Sequence, residues 1–252
     1  MSLYDVVIPL GPKDEDIIQR CVTSVRKHVV GARYIFVIAH KKMDISGAAV
    51  LDESLFPFSR QICAEKTSVA RGGWYLQQLL KFYAPLLISD IMENVLIVDA
   101  DTVFQKRTRF TENGKTLVDK TMIELHQPYF DHMARLHPSF TAWKRMNSGI
   151  TNVMVFNRTI LFEMMKKVED LHKKHFWEAY LDCVTEKEKS GAADYEVYFH
   201  YLMNNHADKV RLRPLQWTND GQRAAIPTGD WHYQSYHWHI QKALPPRSSR
   251  LR

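Results

Sequence analysis

Cysteine is scarce in this chain of 252 residues. Cys21, Cys63 and Cys183 are too few and too scattered for a disulfide framework or a zinc cluster, so a reducing, cytoplasmic compartment is expected. Long apolar runs are missing too. A membrane-spanning helix needs roughly 20 apolar residues, and the longest candidate, 84–104, is broken by Asp90, Glu93, Asn94, Asp99 and Asp101. The start, Met1-Ser2-Leu3-Tyr4-Asp5, lacks the basic and then apolar pattern of a secretory signal, which makes the Asn157-Arg158-Thr159 glycosylation sequon an expected coincidence. Charge of one sign is never concentrated except at 247–252; elsewhere 34 Lys and Arg are interspersed with 28 Asp and Glu. The net charge of +6 therefore argues against nucleic acid as a partner and for weak steering of small anions such as nucleotide diphosphates. Repeats, low-complexity tracts and linkers are also absent. What remains, at 45% hydrophobic content, is enough for one sizeable core.

Short apolar runs alternate with helical periodicity, the pattern of an α/β fold. Asp5-Val6-Val7-Ile8-Pro9-Leu10 reads as a buried strand ended by Gly11-Pro12, with Asp14 as N-cap of a helix carrying Ile17, Ile18, Cys21, Val22, Val25 and Val29. Tyr34 to Ile38 supplies a second strand. Such a β-α-β opening implies a parallel sheet with a right-handed crossover. Gly72-Gly73 precede a long amphipathic helix, and Asn94 to Val98 form the next buried strand, with Asp99-Ala100-Asp101 at its carboxyl end. Further on, Asn113-Gly114 predicts a hairpin, Met122 to Leu125 a strand, and Gly149 to Phe156 a strand feeding a helix. Glu186 to Ser190 reads as an exposed loop, Asp194 to Leu202 as a short helix and Val210 to Leu212 as one more strand.

Open α/β sheets bind ligands at the carboxyl ends of their strands, where Asp99 and Asp101 stand. Two carboxylates one residue apart suit a hard divalent cation, Mn2+ or Mg2+, bridged to a diphosphate, with the ion neutralising charge on a leaving nucleotide. Arg71 and Lys81, at the start and middle of the preceding helix, are candidates to reach that diphosphate or to hold Asp99. Arg71 is preferred, because guanidinium groups bind oxygens in pairs and Gly72-Gly73 allows close backbone approach.

The run Asn94-Val95-Leu96-Ile97-Val98-Asp99-Ala100-Asp101-Thr102-Val103-Phe104 resembles the strand and DxD motif of nucleotide-sugar glycosyltransferases of the GT-A fold. Val6-Val7-Ile8-Pro9-Leu10 is similar to that fold's first strand, and the resemblance implies that Pro9, Leu10 and Gly11 contact the nucleotide. Asn147-Ser148-Gly149 resembles its sugar-side turn and Asp194-Tyr195-Glu196 its acidic helix start near the acceptor. Arg71 to Gln78 and Tyr236-His237-Trp238-His239 are similar to a microbial and viral branch that includes domains of multi-domain enzymes from large algal DNA viruses; for such a protein the compartment is the host cytoplasm, with fusion to further domains.

The resemblance implies a Rossmann-like single domain, residues 1–252, with a mostly parallel central sheet flanked by helices. About 1–105 form the nucleotide-binding half, about 106–242 the smaller acceptor-side subdomain and 243–252 a basic tail. It implies a UDP-sugar donor, galactose first among the hexoses and pentoses, a glycan hydroxyl as acceptor, and a late metal-binding histidine that is either His237 or His239. Glu196 and Asp194 are the candidates for a general base that takes the acceptor proton. Trp143 and Trp217 are candidate sugar-stacking platforms. Two other functions fit parts of the pattern: a haloacid-dehalogenase-like phosphatase with Asp99 as nucleophile, and a non-catalytic carbohydrate-binding module. Against the first, a β-α-β unit precedes the motif; against the second, both aspartates are kept.

Overall fold

A computed structural model describes residues 3–122, 125–144, 146–219 and 229–237. The central sheet begins with β1 (Tyr4–Leu10), followed by helix α1 (Ile18–His28), β2 (Ala32–Ala39) and β3 (Ala49–Asp52). Helices α2 (Arg60–Lys66) and α3 (Gly72–Leu87) then lead to β4 (Asn94–Val98). With the later strand β8 (Val153–Asn157), the order across the sheet is β8-β4-β1-β2-β3, all parallel except β8, which runs antiparallel to β4. This is the mostly parallel α/β sheet that the sequence predicts.

Its interior strands are apolar throughout because both faces are covered. Val6, Ile8 and Leu10 of β1 face the helix α1 side with Leu96 and Val98 of β4, whereas Val7, Val95 and Ile97 face the cluster around α3. Each such side chain contributes roughly 1.5–3 kcal/mol on burial. Asp5 is the polar exception. Its fully buried carboxylate accepts two bonds from Arg33, at 2.9 and 2.7 Å, and the backbone N–H groups of Tyr34 and Met92, stapling β1 to β2 and to the turn before β4.

The second half adds small sheets and helices on one side of the site. β5 (Thr102–Phe104) pairs with the late strand β11 (Tyr233–Ser235), which lies beside β10 (Trp217–Asn219). Between them in sequence, β6 (Thr111–Glu112) and β7 (Lys115–Val118) make the predicted hairpin, with Asn113 and Gly114 both at positive φ, and β9 (Val210–Leu212) adds a parallel strand to β7. The helices are α4 (Gln127–Leu136), α5 (Arg158–His172), α6 (Phe176–Asp182) and α7 (Asp194–Asn205).

Three local expectations change. Asp14 closes a short 3-10 turn, and Ile17 stands at the N-cap of α1 with no side-chain bond, so buried Ile17 and Ile18 set the entry rather than a capping carboxylate. Met122 and Leu125 are not in strands; Ile123 and Glu124 between them lie outside the described residues, and the pairing here among the described residues is the Thr121–Ser148 bridge. Strand β8 starts at Val153, because Asn152 adopts φ +61° and breaks extension. Asn157 ends β8 and caps α5, its side chain accepting from Ile160 N–H and donating to Asn94 Oδ1 at 3.0 Å.

Candidate functional site

The sheet changes direction of growth at β1: β2 and β3 lie on one side and β4 on the other. The crevice at the carboxyl ends of β1 and β4 is thus the topological switch point. Asp99-Ala100-Asp101 form a tight turn there, with Thr102 N–H bonded to Asp99 O, between β4 and β5. Asp99 N–H donates to Asn152 O, so the left-handed peptide at Asn152 pins the motif to the start of β8.

Lys81 lies beneath the motif on α3, with a side chain only 4% exposed. Its ammonium sits 2.6 Å from Asp99 Oδ1 and 2.9 Å from Asp194 Oδ2, and 4.1 Å from the Tyr195 ring centroid. Burial favours a neutral amine, yet the charges of Asp194 and Asp99 outweigh it and hold its pKa up. The Tyr195 hydroxyl donates to Asp99 Oδ1 and Asn152 O; burial, then the Asp99 and Asp194 charges, keep that phenol protonated. Asp99 itself is pushed up, first by burial and then, against the pull of Lys81, by Asp101 and Asp194. Two carboxylates on one ammonium, with Asp101 beside Asp99, make the turn electronegative.

Asp101 carries the clearest vacancy for a cation. Its Oδ2 meets His237 Nδ1 at 3.2 Å, while its Oδ1 is buried without a hydrogen-bond partner among the described residues. A buried, unpartnered carboxylate oxygen is costly. Among the described residues no three His, Cys, Asp or Glu side chains form a ready cage. Two carboxylates completed by substrate phosphates and water suit Mg2+ or Mn2+, which rarely use all-protein cages.

The contact with Asp99 belongs to Lys81 rather than to Arg71. Arg71 sits at the N-cap of α3 with its guanidinium over the Trp74 ring, ten residues and about 15 Å along the helix from Lys81. Gly72 serves packing, since a Cβ there would come within 2.8 Å of Ala64 Cβ and Arg60 O on α2. Pro9 and Leu10 end β1 buried, and Gly11 opens the loop that follows, with open space where its Cβ would stand.

The acceptor-side carboxylates are committed elsewhere. Glu196 is fully buried; its Oε2 accepts Ser148 Oγ–H at 2.7 Å and Gly149 N–H at 2.8 Å, and its Oε1 faces His200 Nε2 at 3.2 Å. His200 Nδ1 accepts the Trp143 N–H, so the ring proton sits on Nε2 and points at Glu196. Asp194 is bound to Lys81. With both oxygens engaged Glu196 is not free to take an acceptor proton, which corrects the general-base expectation for that residue. Gly149 is required by α7: a Cβ would lie 2.3 Å from Phe199 Cβ. Asn147 is likewise occupied, donating to Lys144 O and accepting from Lys120 Nζ. Trp217 stacks on Tyr233 at 5.8 Å and 8° between planes, as packing rather than as a free platform; Trp143 is half-buried against Phe199.

The segment that leads to His237 is built into the fold. Tyr233 and Tyr236 are fully buried, Tyr236 N–H donates to Asp101 O, and Thr102 and Ser235 share a 2.7 Å hydroxyl bond. His237 is placed beside Asp101, whereas His239 lies outside the described residues. Lys120, Asn152 and Tyr195 were not singled out from the sequence. Only Asn152 carried a signal, the tolerance of Asn for left-handed backbone.

Residues 6–244 match a family described as a family of unknown function, DUF6492. The chain belongs to that family. No curated protein matches the sequence of this DUF6492 chain. Among solved structures, it is similar to the apo form of mouse xyloside xylosyltransferase 1, with a TM-score of 0.51 and 9% identity over 95% of this chain and 99% of that one. At that identity the likeness establishes the fold, which this DUF6492 chain shares with a glycosyltransferase of the GT-A kind.

Proposed function

We propose that this DUF6492 chain is a metal-dependent glycosyltransferase that moves a hexose or pentose, galactose first, from a UDP-sugar to a hydroxyl of a glycan. The observation that carries the reading is the buried, unpartnered Oδ1 of Asp101, next to Asp99 at the switch point of the sheet. That the structural neighbour is a xylosyltransferase supports sugar transfer and keeps a pentose in range.

Asp99 and Asp101, with His237 beside Asp101, would hold Mn2+ or Mg2+, which when bound supplies Lewis-acid stabilisation of the charge on the departing nucleotide diphosphate. Lys81 and Tyr195 fix Asp99 through Oδ1 and leave Oδ2 for the ion. The backbone of Gly11 to Asp14 and the end of β1 border the nucleotide side, and the loop 143–150, clamped by Glu196 and His200, borders the sugar side. Burial of Tyr233 and Tyr236 excludes water from the back of the site. The phosphatase alternative fares worse, because an Asp99 oxygen shared by an ammonium and a phenol is a weakened nucleophile.

A panel of nucleotide sugars with and without Mn2+, read by nucleotide release, tests the reading. Asp101→Asn should abolish both release and the rise in melting temperature on adding UDP with Mn2+. Undiminished release in excess chelator would refute metal dependence, and release of phosphate from a simple phosphomonoester would restore the phosphatase.

A further inference from the structure

Lys120 and Lys144 are exposed and flank the turn at Asn147: the Lys120 ammonium donates to Asn147 Oδ1, and the backbone carbonyl of Lys144 accepts from Asn147 Nδ2 at 2.8 Å. Lys144 is held further by the Trp143 ring, its Nζ 4.7 Å from the centroid. Neither lysine meets a carboxylate among the described residues, whereas Lys41, Lys66, Lys106, Lys166 and Lys174 each pair with one. The Thr121–Ser148 bridge brings Met122 alongside the same turn, and Met122 and Met146 are each 58% exposed. Two restrained, unpaired ammonium groups beside exposed apolar side chains thus stand at the rim of the sugar side. The turn beneath them is tied rigidly to α7 through Ser148, Gly149 and Glu196.

We infer that Lys120 and Lys144 form a subsite for an anionic group, a carboxylate or a phosphate, carried by the sugar that accepts transfer. Held donors lose little conformational freedom on binding, and a carboxylate or phosphate takes several charge-assisted bonds from such a pair. Trp143 and the two methionines cover the apolar face of the ring that carries the charge. Naming this substrate class rests on the glycosyltransferase reading; the anion subsite itself does not.

The test uses the full chain and three sugars of one ring type: glucose, glucuronic acid and glucose 6-phosphate, titrated by isothermal titration calorimetry in the presence of UDP and Mn2+. At least one anionic sugar should bind about tenfold more tightly than glucose, the effect of one good charge-assisted hydrogen bond. Whether the acid or the phosphate is preferred identifies the anion. The preference should fall to about one in K120Q/K144Q and in high salt. Equal binding of all three sugars, absence of binding by any, or a preference that survives the double substitution overturns the inference. So does a preference seen without UDP and lost when UDP with Mn2+ is added, since the lysines would then serve the donor phosphates. Anion preference in a chain that releases no nucleotide from any donor would keep the subsite and remove the glycosyltransferase reading; the converse result would do the opposite.

Discussion

Replacing Lys81 by methionine removes the ammonium and keeps most of the side-chain volume. At 4% exposure the side chain is in the buried regime, where loss of one partner of an ion pair costs about 3–5 kcal/mol, rather than the 0–1 kcal/mol of a surface pair. The loss is large here because two carboxylates, Asp99 and Asp194, are stranded together, with Asp101 adding a third charge that already raises the Asp99 pKa. Urea unfolding of K81M at neutral pH, with metal removed by chelator, should therefore show a deficit of about 3–5 kcal/mol. Asp194→Asn in the K81M background should recover part of it, although the same change alone in the wild type is destabilising. That reversal of sign is the signature of a shared charge cluster. A K81M deficit below about 1 kcal/mol, or no recovery in the double variant, would refute the view that Lys81 balances these carboxylates.

Gly149→Ala should cost about 1–3 kcal/mol, since its Cβ would overlap Phe199, and Glu196→Gln should cost about 1–3 kcal/mol by setting an amide N–H against at least one of three existing donors; chemical denaturation measures both. Burial foremost, with Arg135 adding to it against the Tyr180 carbonyl, lowers the pKa of His132 from 6.5 to about 4. The unfolded chain therefore binds a proton that the folded chain refuses, so stability should fall by about 3 kcal/mol as pH drops from 6.5 to 4, a slope that His132→Gln removes when the two acid titrations are subtracted. Asp5 resists burial through Arg33 and the Met92 and Tyr34 N–H groups, and its pKa lies below the ordinary 3.8. Its stabilisation is complete above that value and lost as pH falls through the lower folded one, so Asp5→Asn should flatten the last part of the acid unfolding curve.

The apolar runs at 5–10, 34–38 and 94–98 were enough to announce a parallel sheet, because strands covered on both faces need continuous hydrophobic sequence. The same logic put Asp99 and Asp101 at the carboxyl end of β4, the end at which open α/β sheets bind ligands. Spacing told nothing of the choice between Arg71 and Lys81. Both lie on one helix, and which of them turns inward depends on the packing of α2 against Gly72, a contact between segments far from the motif. Glu196 was misread for a related reason: an acid in the first turn of a helix looks solvated until the loop 143–150 is seen to fold over it. Asn152 offered only the general tolerance of Asn for left-handed backbone, which does not single it out from the other asparagines; its positive φ does.

Asn157 carries a consequence for the history of the chain as well as for its fold. The amide nitrogen to which an oligosaccharide would be attached is the atom that donates to Asn94, while the oxygen of the same amide starts α5. Carbohydrate can be added there only before β8 and β4 have met. A folded molecule presented to a glycosylating enzyme should remain unmodified at this sequon, and a chain modified during synthesis would carry a bulky group wedged at the edge of its central sheet. Occupancy of Asn157, read by mass spectrometry of the secreted and retained pools from a host that is forced to export the protein, would thus record the order in which folding and modification occurred.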